Sequence, residues 1–398
     1  MIRRVAYLSI HTSPLATPGS GDAGGMNVYV HELAQTMARR GVEVDVYTRG
    51  EDGVVEVAPG YRVVHIRGAS SGDPAELVGG FAEAIVTLAT RRQAAYDVVH
   101  SHYWLSGWAG LLLHEVLKVP LAISFHTLGR VKDANRRPGD PAESLLRIAA
   151  EAEVIARAGC IVASTPVEAG ELIEHYRANP ERLCVSPPGV DHERFSPGSR
   201  EEARRSLGLG SGPLVLFVGR VQPLKGPDIA LDAFAAISGD LSDARLMVVG
   251  GPSGVAGTDT ARALRTAVAR HGLEDRVRFV PAMPHDELPA VFRAADVVVV
   301  PSRSESFGLV AAEAQSCGVP VVAARVGGLP FVVEDGVSGL LVEGWDPAGY
   351  AAAVRRVLTE PGLAAALGAG AVKHAEQFSW PATADRLLEL YRGITHRD

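Results

Sequence analysis

The chain has 398 residues, 47% of them hydrophobic, and carries a formal net charge of −7. This length exceeds what one hydrophobic core usually supports, so two domains are expected. The acidic balance argues against nucleic-acid binding, which needs a basic surface. The cysteines Cys160, Cys184 and Cys317 are widely separated and lack the paired spacing of a disulfide framework or a zinc site. They are therefore expected to be buried thiols in a reducing cytoplasm.

Segments rich in valine alternate with segments rich in alanine and leucine, which is typical of α/β domains with parallel sheets. The first apolar run, Val5–Ile10, is too short for a membrane span or a signal peptide, so no stable membrane insertion is expected. In the first domain, strands are predicted at Arg4–His11, Val42–Thr48, Tyr61–Ile66, Val98–Ser101, Leu121–Phe125 and Cys160–Ser164. The predicted helices there are Val28–Arg40, Pro74–Arg91, Leu105–Leu117, Ala142–Arg157 and Pro166–His175.

The first strand leads into a glycine-rich loop, Pro18–Asn27. Its glycines do not fit the fingerprint G-x-G-x-x-G, so a dinucleotide site of that kind is not predicted. A flexible backbone loop at the carboxyl end of a strand can still approach a phosphate closely. The loop is therefore a candidate phosphate contact.

A proline-rich segment, Pro187–Pro197, is interpreted as the hinge between the domains. The domains are placed at residues 1–190 and 191–380, and the C-terminal segment 381–398 is assigned to the first. Its amphipathic part, Pro381–Arg392, carries Asp and Glu beside Arg on its polar face, which favours packing across the domain boundary over a membrane surface. In the second domain, strands are predicted at Pro213–Val218, Arg245–Val249, Val277–Val280, Val297–Val300 and Val319–Ala323, and helices at Pro227–Ile237 and Val310–Cys317.

Two carboxylates, Glu305 and Glu313, stand eight residues apart where a buried strand is followed by a helix. Glu305 is placed in the turn and Glu313 about two helical turns later. Amides at the start of a helix favour an anion, and carboxylates accept hydrogen bonds from sugar hydroxyls, so the pattern suits a nucleotide sugar. The alternative makes Glu305 a capping residue and Glu313 a solvated helix position. The amides in question belong to Phe307, Gly308, Leu309 and Val310.

Two cations, Arg220 and Lys225, follow another predicted strand, at the edge of the sheet where α/β proteins bind ligands. Such a pair can neutralise a leaving diphosphate, which many enzymes do with a metal ion held by acidic pairs. The chain contains no D-x-D sequence. The cations are therefore expected to replace the metal, with no cofactor required. The alternative is a pair of surface charges in ordinary ion pairs.

These motifs resemble the retaining glycosyltransferases of family four, whose GT-B fold has two Rossmann-like domains facing across a cleft. The resemblance rests on Gly219-Arg220…Lys225-Gly226, on the Glu305…Glu313 spacing and on the Pro188–Pro197 segment. More specific motifs resemble the actinobacterial D-inositol-3-phosphate glycosyltransferases of mycothiol synthesis. They are Ser9–Leu15, Gly21–Tyr29, His100–Gly107 and His126–Leu128, and the similarity continues through Arg325–Pro330 and Phe378–Trp380. It covers essentially the whole chain.

That family transfers N-acetylglucosamine from UDP-GlcNAc to 1D-myo-inositol 3-phosphate. The resemblance implies that Arg220 and Lys225 hold the diphosphate, that Glu313 binds the ribose and that Glu305 binds a hydroxyl of the transferred sugar. It also implies three further donor contacts: the Gly25 amide on the β-phosphate as the domains close, backbone near Met283 on the uracil, and His126 beside the anomeric carbon.

The acceptor pocket implied by the resemblance consists of Asn27, Tyr103, Thr127 and Arg147, with His11 and Asp22 at its edge. One position departs from the family. The family binds the acceptor phosphate with a lysine in the segment that corresponds to Arg67–Leu77, and this segment has no lysine here. Alignment puts Ser71 or a neighbour in its place. The acceptor is expected to be inositol 3-phosphate, and an unphosphorylated cyclitol or aminocyclitol is the alternative.

The mechanism implied is transfer with retention, in which the acceptor hydroxyl approaches on the face of the leaving diphosphate and that phosphate takes its proton. The histidines His100, His102 and His126 lack an acid or cysteine at metal-ligand spacing, so they favour a sugar pocket over a zinc site. Three other classes stay open: a hydrolysing UDP-sugar 2-epimerase, a lipid-dependent mannosyltransferase and a non-catalytic sugar-nucleotide sensor. A homodimer is also allowed for.

Overall fold

The computed structural model describes residues 1–67, 74–92, 94–136, 141–254 and 256–396. The chain divides into two compact units. The first unit comprises Met1–Ala16, Gly25–Gly189 and Trp380–Asp398, and the second comprises Thr17–Gly24 and Val190–Ser379. The glycine-rich loop, predicted within the first domain, is thus divided, because Thr17–Gly24 groups with the second unit. One cause is the hydrogen bond that the Gly251 amide donates to the Gly19 carbonyl, over 2.9 Å.

The first unit contains an eight-stranded sheet covered by helices. Its strands are β1 (Arg4–Ser9), β2 (Glu43–Arg49), β3 (Gly53–Ala58), β4 (Tyr61–Ile66), β5 (Val98–His102), β6 (Leu121–Ser124), β7 (Cys160–Ala163) and β8 (Leu183–Val185). Its helices are α1 (Gly25–Arg39), α2 (Pro74–Arg91), α3 (Trp104–Leu117), α4 (Gly129–Ala134), α5 (Leu145–Arg157) and α6 (Pro166–Tyr176), and a 3-10 turn spans Pro180–Arg182. The C-terminal helix of the chain, Trp380–Thr395, completes the unit.

The strand order in this sheet is β3-β4-β2-β1-β5-β6-β7-β8. All neighbours pair in parallel except β3 and β4, which form an antiparallel edge. The sequence analysis did not predict strand β3, because its residues are mostly exposed and do not alternate between apolar and polar. The predicted glycine loop is also too long, since α1 begins at Gly25 rather than Val28. Gly25 and Asn27 therefore lie in the first turn of a helix.

The C-terminal helix packs in the first unit, to which the sequence analysis assigned residues 381–398. The Tyr391 hydroxyl lies 2.6 Å from Nδ1 of His100 in β5, and both side chains are fully buried. The ring of Trp380 meets the edge of Tyr29 in α1, with centroids 5.7 Å apart. On the surface, Arg40 donates two hydrogen bonds to the carboxylate of Asp385. This pairing holds the pKa of that carboxyl below its usual range.

The second unit contains a six-stranded, fully parallel sheet in the order β11-β10-β9-β12-β13-β14. The strands are β9 (Leu214–Val218), β10 (Arg245–Val249), β11 (Val277–Val280), β12 (Val297–Val300), β13 (Val321–Ala324) and β14 (Gly339–Val342). The helices are α7 (Arg200–Ser206), α8 (Pro227–Ser238), α9 (Gly257–Arg270), α10 (Leu288–Ala294), α11 (Leu309–Ser316), α12 (Leu329–Val332), α13 (Pro347–Thr359) and α14 (Leu363–Ala375). A 3-10 turn spans Pro223–Lys225. The C-terminal helix of the first unit, Trp380–Thr395, is numbered α15.

The four-valine strand β12 is buried along its whole length, as expected for the interior of a parallel sheet covered on both faces. Both sheets are thus Rossmann-like. In each sheet the strand order reverses at the first strand of the unit: β1 lies between β2 and β5, and β9 lies between β10 and β12. Ligands of such sheets bind outside the carboxyl ends of the strands at this switch point. Among the described helices of either unit, none combines the length and the apolar character that a membrane crossing would need.

Candidate active site

In the second unit, the turns that follow β9 and β12 interlock at the switch point. Gly226 has a φ of 66° and a Cβ at this position would collide with the Pro301 carbonyl, so the close approach of the two turns requires glycine. The Arg303 amide donates to the Leu224 carbonyl over 2.8 Å. The two turns that carry the predicted donor residues are therefore fixed to each other.

Lys225 and Glu305 meet between these turns. The Lys225 ammonium donates to Oε2 of Glu305 over 2.5 Å, and the two side chains are only 20% and 19% exposed. A half-buried pair of this kind is screened by water less than a surface ion pair. The arrangement supplies one cation for a diphosphate and one carboxylate for a hydroxyl, each held in place by the other.

A glycine pair, Gly327–Gly328, supports the Glu305 turn from the other side. The Gly328 amide donates to the Glu305 carbonyl over 2.8 Å, and a Cβ on Gly327 would collide with that same oxygen. Helix α11 then starts from Gly308, whose φ is 109° and which provides no side-chain cap. The sequence alternative that made Glu305 the capping residue is therefore wrong. Leu309 and Val310 form the first turn, whereas the Phe307 side chain is buried against Phe378.

Glu313 is 4% exposed, so the alternative of a solvated position is also wrong. Its Oε1 lies 2.7 Å from Nε2 of His285. Nδ1 of His285 lies 3.2 Å from Nη1 of Arg194, and Arg194 pairs with Asp191 over 3.3 Å. Because arginine can only donate, Nδ1 accepts and the His285 proton is on Nε2, directed at the carboxylate. Sequence reasoning missed His285, which is 28 positions from Glu313 and carries no local signal.

The loop Thr17–Gly24 contacts the predicted diphosphate cation within the second unit. The Asp22 carbonyl lies 3.5 Å from Nη1 of Arg220, and the Asp22 carboxylate lies 3.3 Å from the Ser253 hydroxyl. A Cβ on Gly24 would lie 3.3 Å from Nε of Arg220. The structure therefore groups Asp22 with Arg220, and the assignment of Asp22 to the edge of the acceptor pocket stays a prediction. Met283 follows β11 and packs partly against the core of the same unit.

In the first unit, the predicted acceptor residues gather at the carboxyl ends of β1, β5 and β6. The rings of His11 and Tyr103 lie 5.0 Å apart. Asn27 is buried at the start of α1, where its amide donates to the Thr12 hydroxyl over 3.2 Å and to the Ser13 carbonyl over 2.5 Å. Asn27 thus fixes the segment that carries His11. Gly25 is the first residue of α1. Ser71, predicted in place of the family's lysine, lies outside the described residues.

Arg147 is buried, and its guanidinium is engaged by protein groups on all three nitrogens. Nε donates to Glu151 over 2.8 Å, Nη1 to Glu143 over 2.9 Å, and Nη2 to both oxygens of Thr127 over 3.1 Å. The guanidinium also lies over the Tyr103 ring at 5.1 Å. Arg147 therefore contacts Thr127 and Tyr103, with which it was predicted to line one pocket, and holds both side chains in position. The two glutamates were missed, although their spacing of four residues on either side of Arg147 is a helical ion-pair signal.

Three neighbouring histidines lie behind these residues, two of them fully buried and His126 half-buried. His100 and His102 come from the end of β5, and His126 follows β6 with a left-handed φ of 60°. Nδ1 of His102 lies 3.0 Å from Nε2 of His126, and the edge of Tyr29 meets His126 with centroids 5.0 Å apart. Burial lowers the pKa of His100 and of His126 to about 3 and the pKa of His102 well below its usual value, so all three are neutral at pH 7. Within the described ranges, no three His, Cys, Asp or Glu residues are placed to hold a metal ion.

Comparison with known proteins decides the family. The model for glycosyltransferase family 4 matches residues 23–194, and that for glycosyl transferases group 1 matches residues 199–374. A D-inositol 3-phosphate glycosyltransferase of Geodermatophilus obscurus is 50% identical over 98% of this chain and 89% of its own. The chain belongs to glycosyltransferase family 4. A second relative of the same name, from Actinosynnema mirum, is 49% identical over 98% of this chain and 97% of its own.

This glycosyltransferase also has close structural relatives. Sucrose-phosphate synthase from Thermosynechococcus elongatus superimposes with a TM-score of 0.91 at 31% identity, with both chains fully covered. The predicted GT-B class and the prediction of a sugar-transferring enzyme are both confirmed. The residue assignments within the site stay predictions, which the geometry above makes specific.

Proposed function

We propose that this enzyme transfers N-acetylglucosamine from UDP-GlcNAc to 1D-myo-inositol 3-phosphate with retention of the anomeric configuration. The whole-chain identity of 50% and 49% to two relatives named D-inositol 3-phosphate glycosyltransferase carries the choice of acceptor. In this proposal the second unit binds the donor and the first unit binds the acceptor.

The donor assignment follows from the chemistry of the second unit. Lys225 and Arg220 would face the diphosphate, while Glu313, oriented by the His285 N–H, would accept hydrogen bonds from the ribose. The amides at the start of α11 would add partial positive charge beside the phosphates. Glu305, held by Lys225, would bind a hydroxyl of the transferred sugar.

The reaction would proceed by cleavage of the bond between the anomeric carbon and the diphosphate oxygen. Lys225 and Arg220 would stabilise the charge that develops on this oxygen, which is where fixed cations accelerate such a step most. The acceptor hydroxyl would form the new bond on the same face, and its proton would pass to the departing phosphate. UDP and the glycosylated cyclitol are then the products, and no metal ion enters the scheme.

An unphosphorylated cyclitol or aminocyclitol is the second candidate acceptor, and one observation favours it. Arg147, which contacts Thr127, and Lys132 are both matched by the carboxylates of Glu143 and Glu151. This cluster therefore offers no excess positive charge to a phosphate dianion. A neutral hydroxyl-rich acceptor does not need such an excess.

Product analysis with a panel of acceptors tests the proposal. The enzyme is incubated with UDP-GlcNAc and inositol 3-phosphate, free inositol or an aminocyclitol, and kcat/KM is compared. We expect inositol 3-phosphate to give the highest value and an α-linked product. A higher value for a neutral acceptor would select the second candidate. Release of UDP with free 2-epimerised sugar, independent of acceptor, would instead identify a hydrolysing epimerase.

A further inference from the structure

The second unit contains a cavity at the opposite end of its sheet from the candidate donor residues. Its volume is about 560 Å³, within the range of cavities that hold small molecules. The first residues of β10 and β11, Arg245 and Val277, form part of its lining. Arg220, Lys225 and Glu305 instead follow the carboxyl ends of β9 and β12. A five-residue strand such as β10 spans about 16 Å, so the cavity is distinct from the donor site.

The lining of this cavity is rich in positive charge. Four guanidiniums stand against two carboxylates, which leaves an excess of two positive charges in a chain whose formal net charge is −7. Among the described residues, these guanidiniums contact backbone carbonyls and aromatic rings rather than carboxylates. Their charge is therefore not neutralised by ion pairs. The charged side chains of the lining are Arg245, Arg265, Arg276, Arg278, Glu274 and Asp275.

Arg276 has a structural role in the cavity wall. It is half-buried, and all three of its side-chain nitrogens donate to backbone carbonyls. The acceptors are Ala244 at 3.0 Å from Nε, Ser238 at 2.8 Å from Nη1 and Leu241 at 2.5 Å from Nη2. Its guanidinium also lies over the Phe234 ring at 5.5 Å. Arg276 thus fixes the start of β11 against the end of α8.

The other three arginines are exposed and keep most of their hydrogen-bonding capacity. Arg245 donates from Nη1 to the Asp275 carbonyl over 2.6 Å, and Arg278 donates from Nη1 to a backbone carbonyl just beyond α7 over 3.0 Å. The guanidinium of Arg265 lies over the Phe279 ring at 4.9 Å. Because a guanidinium has five N–H groups, each of these side chains retains several that no described protein group accepts. The single contacts orient the three cations without saturating them.

We propose that this cavity binds a small molecule that carries a diphosphate or triphosphate group, with Arg245, Arg265 and Arg278 as the phosphate ligands. Arginine forms paired, charge-assisted hydrogen bonds with phosphate oxygens, and a charge of −2 or more matches the positive excess of the lining. Leu209 and Val277 in the same lining offer apolar contacts to the rest of the molecule. The inference goes beyond the proposed function and does not depend on it, because no donor or acceptor residue takes part.

Calorimetry of the full-length protein tests the proposal, in about 150 mM salt to screen weak surface binding. The protein is titrated first with UDP and then, while saturated with UDP, with inorganic pyrophosphate. We expect pyrophosphate to bind at one further site in each chain. The double variant Arg245→Gln/Arg278→Gln should weaken this binding by about tenfold or more. Arg262→Gln is the matched control, since Arg262 also lies on α9 but pairs with Asp259 outside the cavity.

The UDP titration shows whether the variants are folded and whether the cavity is separate. UDP should bind wild type and both variants at one site with equal affinity. A second UDP site in wild type that is absent from the double variant would also support the proposal, because it would show that nucleoside diphosphates enter the cavity.

With a single UDP site, absence of pyrophosphate binding to the saturated wild type would overturn the proposal. Equal pyrophosphate affinity in wild type and the double variant would overturn it too. Neither measurement uses transfer activity, so a failure of the proposed function would leave this result unchanged.

Discussion

The imidazole of His285 donates from Nε2 to Oε1 of Glu313 over 2.7 Å, with Arg194 fixing the ring from its other nitrogen. A carboxylate held in this way is oriented before a ligand arrives, so less freedom is lost on binding. The Pro188–Pro197 segment, which supplies Asp191 and Arg194, thereby acts on the donor site through His285.

Replacement of Glu313 with Gln should weaken UDP binding by roughly 10- to 100-fold, the equivalent of one charged hydrogen bond. His285→Ala should produce a smaller loss in the same direction, because the carboxylate stays but is no longer oriented. Calorimetry with UDP alone measures both, with the exposed Glu274→Gln as control. Unchanged UDP affinity in Glu313→Gln would exclude the ribose assignment.

Lys225→Ala should lower kcat by several orders of magnitude, since the charge on the leaving diphosphate then develops beside an unpaired Glu305. Glu305→Gln should also lower kcat, while UDP affinity changes little. Because the two side chains are in contact over 2.5 Å, the double variant should lose less than the sum of the two single losses in activation free energy. Strict additivity in this cycle would show that the pair does not act as a unit.

Chelation should leave the activity intact, because Arg220 and Lys225 are proposed to take the place of a divalent cation. The test is the initial rate of transfer before and after dialysis against EDTA. Loss of activity that magnesium or manganese restores would contradict this prediction.

Arg147→Ala should impair phosphorylated and neutral acceptors alike and also reduce stability. The guanidinium organises Thr127 and Tyr103, and its removal leaves the buried carboxylate of Glu151 without its cation, which costs about 3–5 kcal/mol in comparable cases. Thr127→Val, which leaves the ion pairs in place, should raise the acceptor KM without a comparable loss of stability. A loss confined to inositol 3-phosphate in Arg147→Ala would show that the arginine contacts the phosphate directly.

Acidification should destabilise the first unit through its histidines. The pKa of His100 and of His126 is about 3 in the folded state and ordinarily about 6.5, so the unfolded chain binds more protons between these values and stability falls as the pH decreases through this window. Burial raises the pKa of Glu168 and of Glu171 to about 7, and these carboxyls act in the opposite direction between about pH 4.5 and 7.

Glu168→Gln should therefore steepen the loss of unfolding free energy between pH 6.5 and 4.5, by up to about 1.4 kcal/mol per pH unit. Urea unfolding at a series of pH values measures this slope, and the exposed Glu83→Gln of the same unit is the control. Parallel curves for wild type and Glu168→Gln would contradict the opposing role of the carboxyl.

The order of strands and helices could be predicted because each carries its own periodicity: β10 and α2 have the bounds that their residues predicted. An exposed strand, or a residue that acts through a partner distant in the sequence, could not be predicted in this way. Strand β3 shows no apolar alternation, and His285 and Glu151 act through contacts that only the folded chain creates. The pairing of Lys225 with Glu305 could be predicted only in part. The sequence placed both after strands, and the interlocked turns join them.

Helix α15 completes the first unit with residues that follow the entire second unit in the chain. Tyr391 closes over His100, and Thr383 donates to the Pro187 carbonyl over 2.7 Å. During translation, the sheet from β1 to β8 therefore lacks the contact of Tyr391 with His100 until the entire second unit has been synthesised. A chain released before residue 380 would lack this cover. Incomplete translation products should then be selectively recognised by chaperones and proteases, since they expose surface that the full-length protein buries.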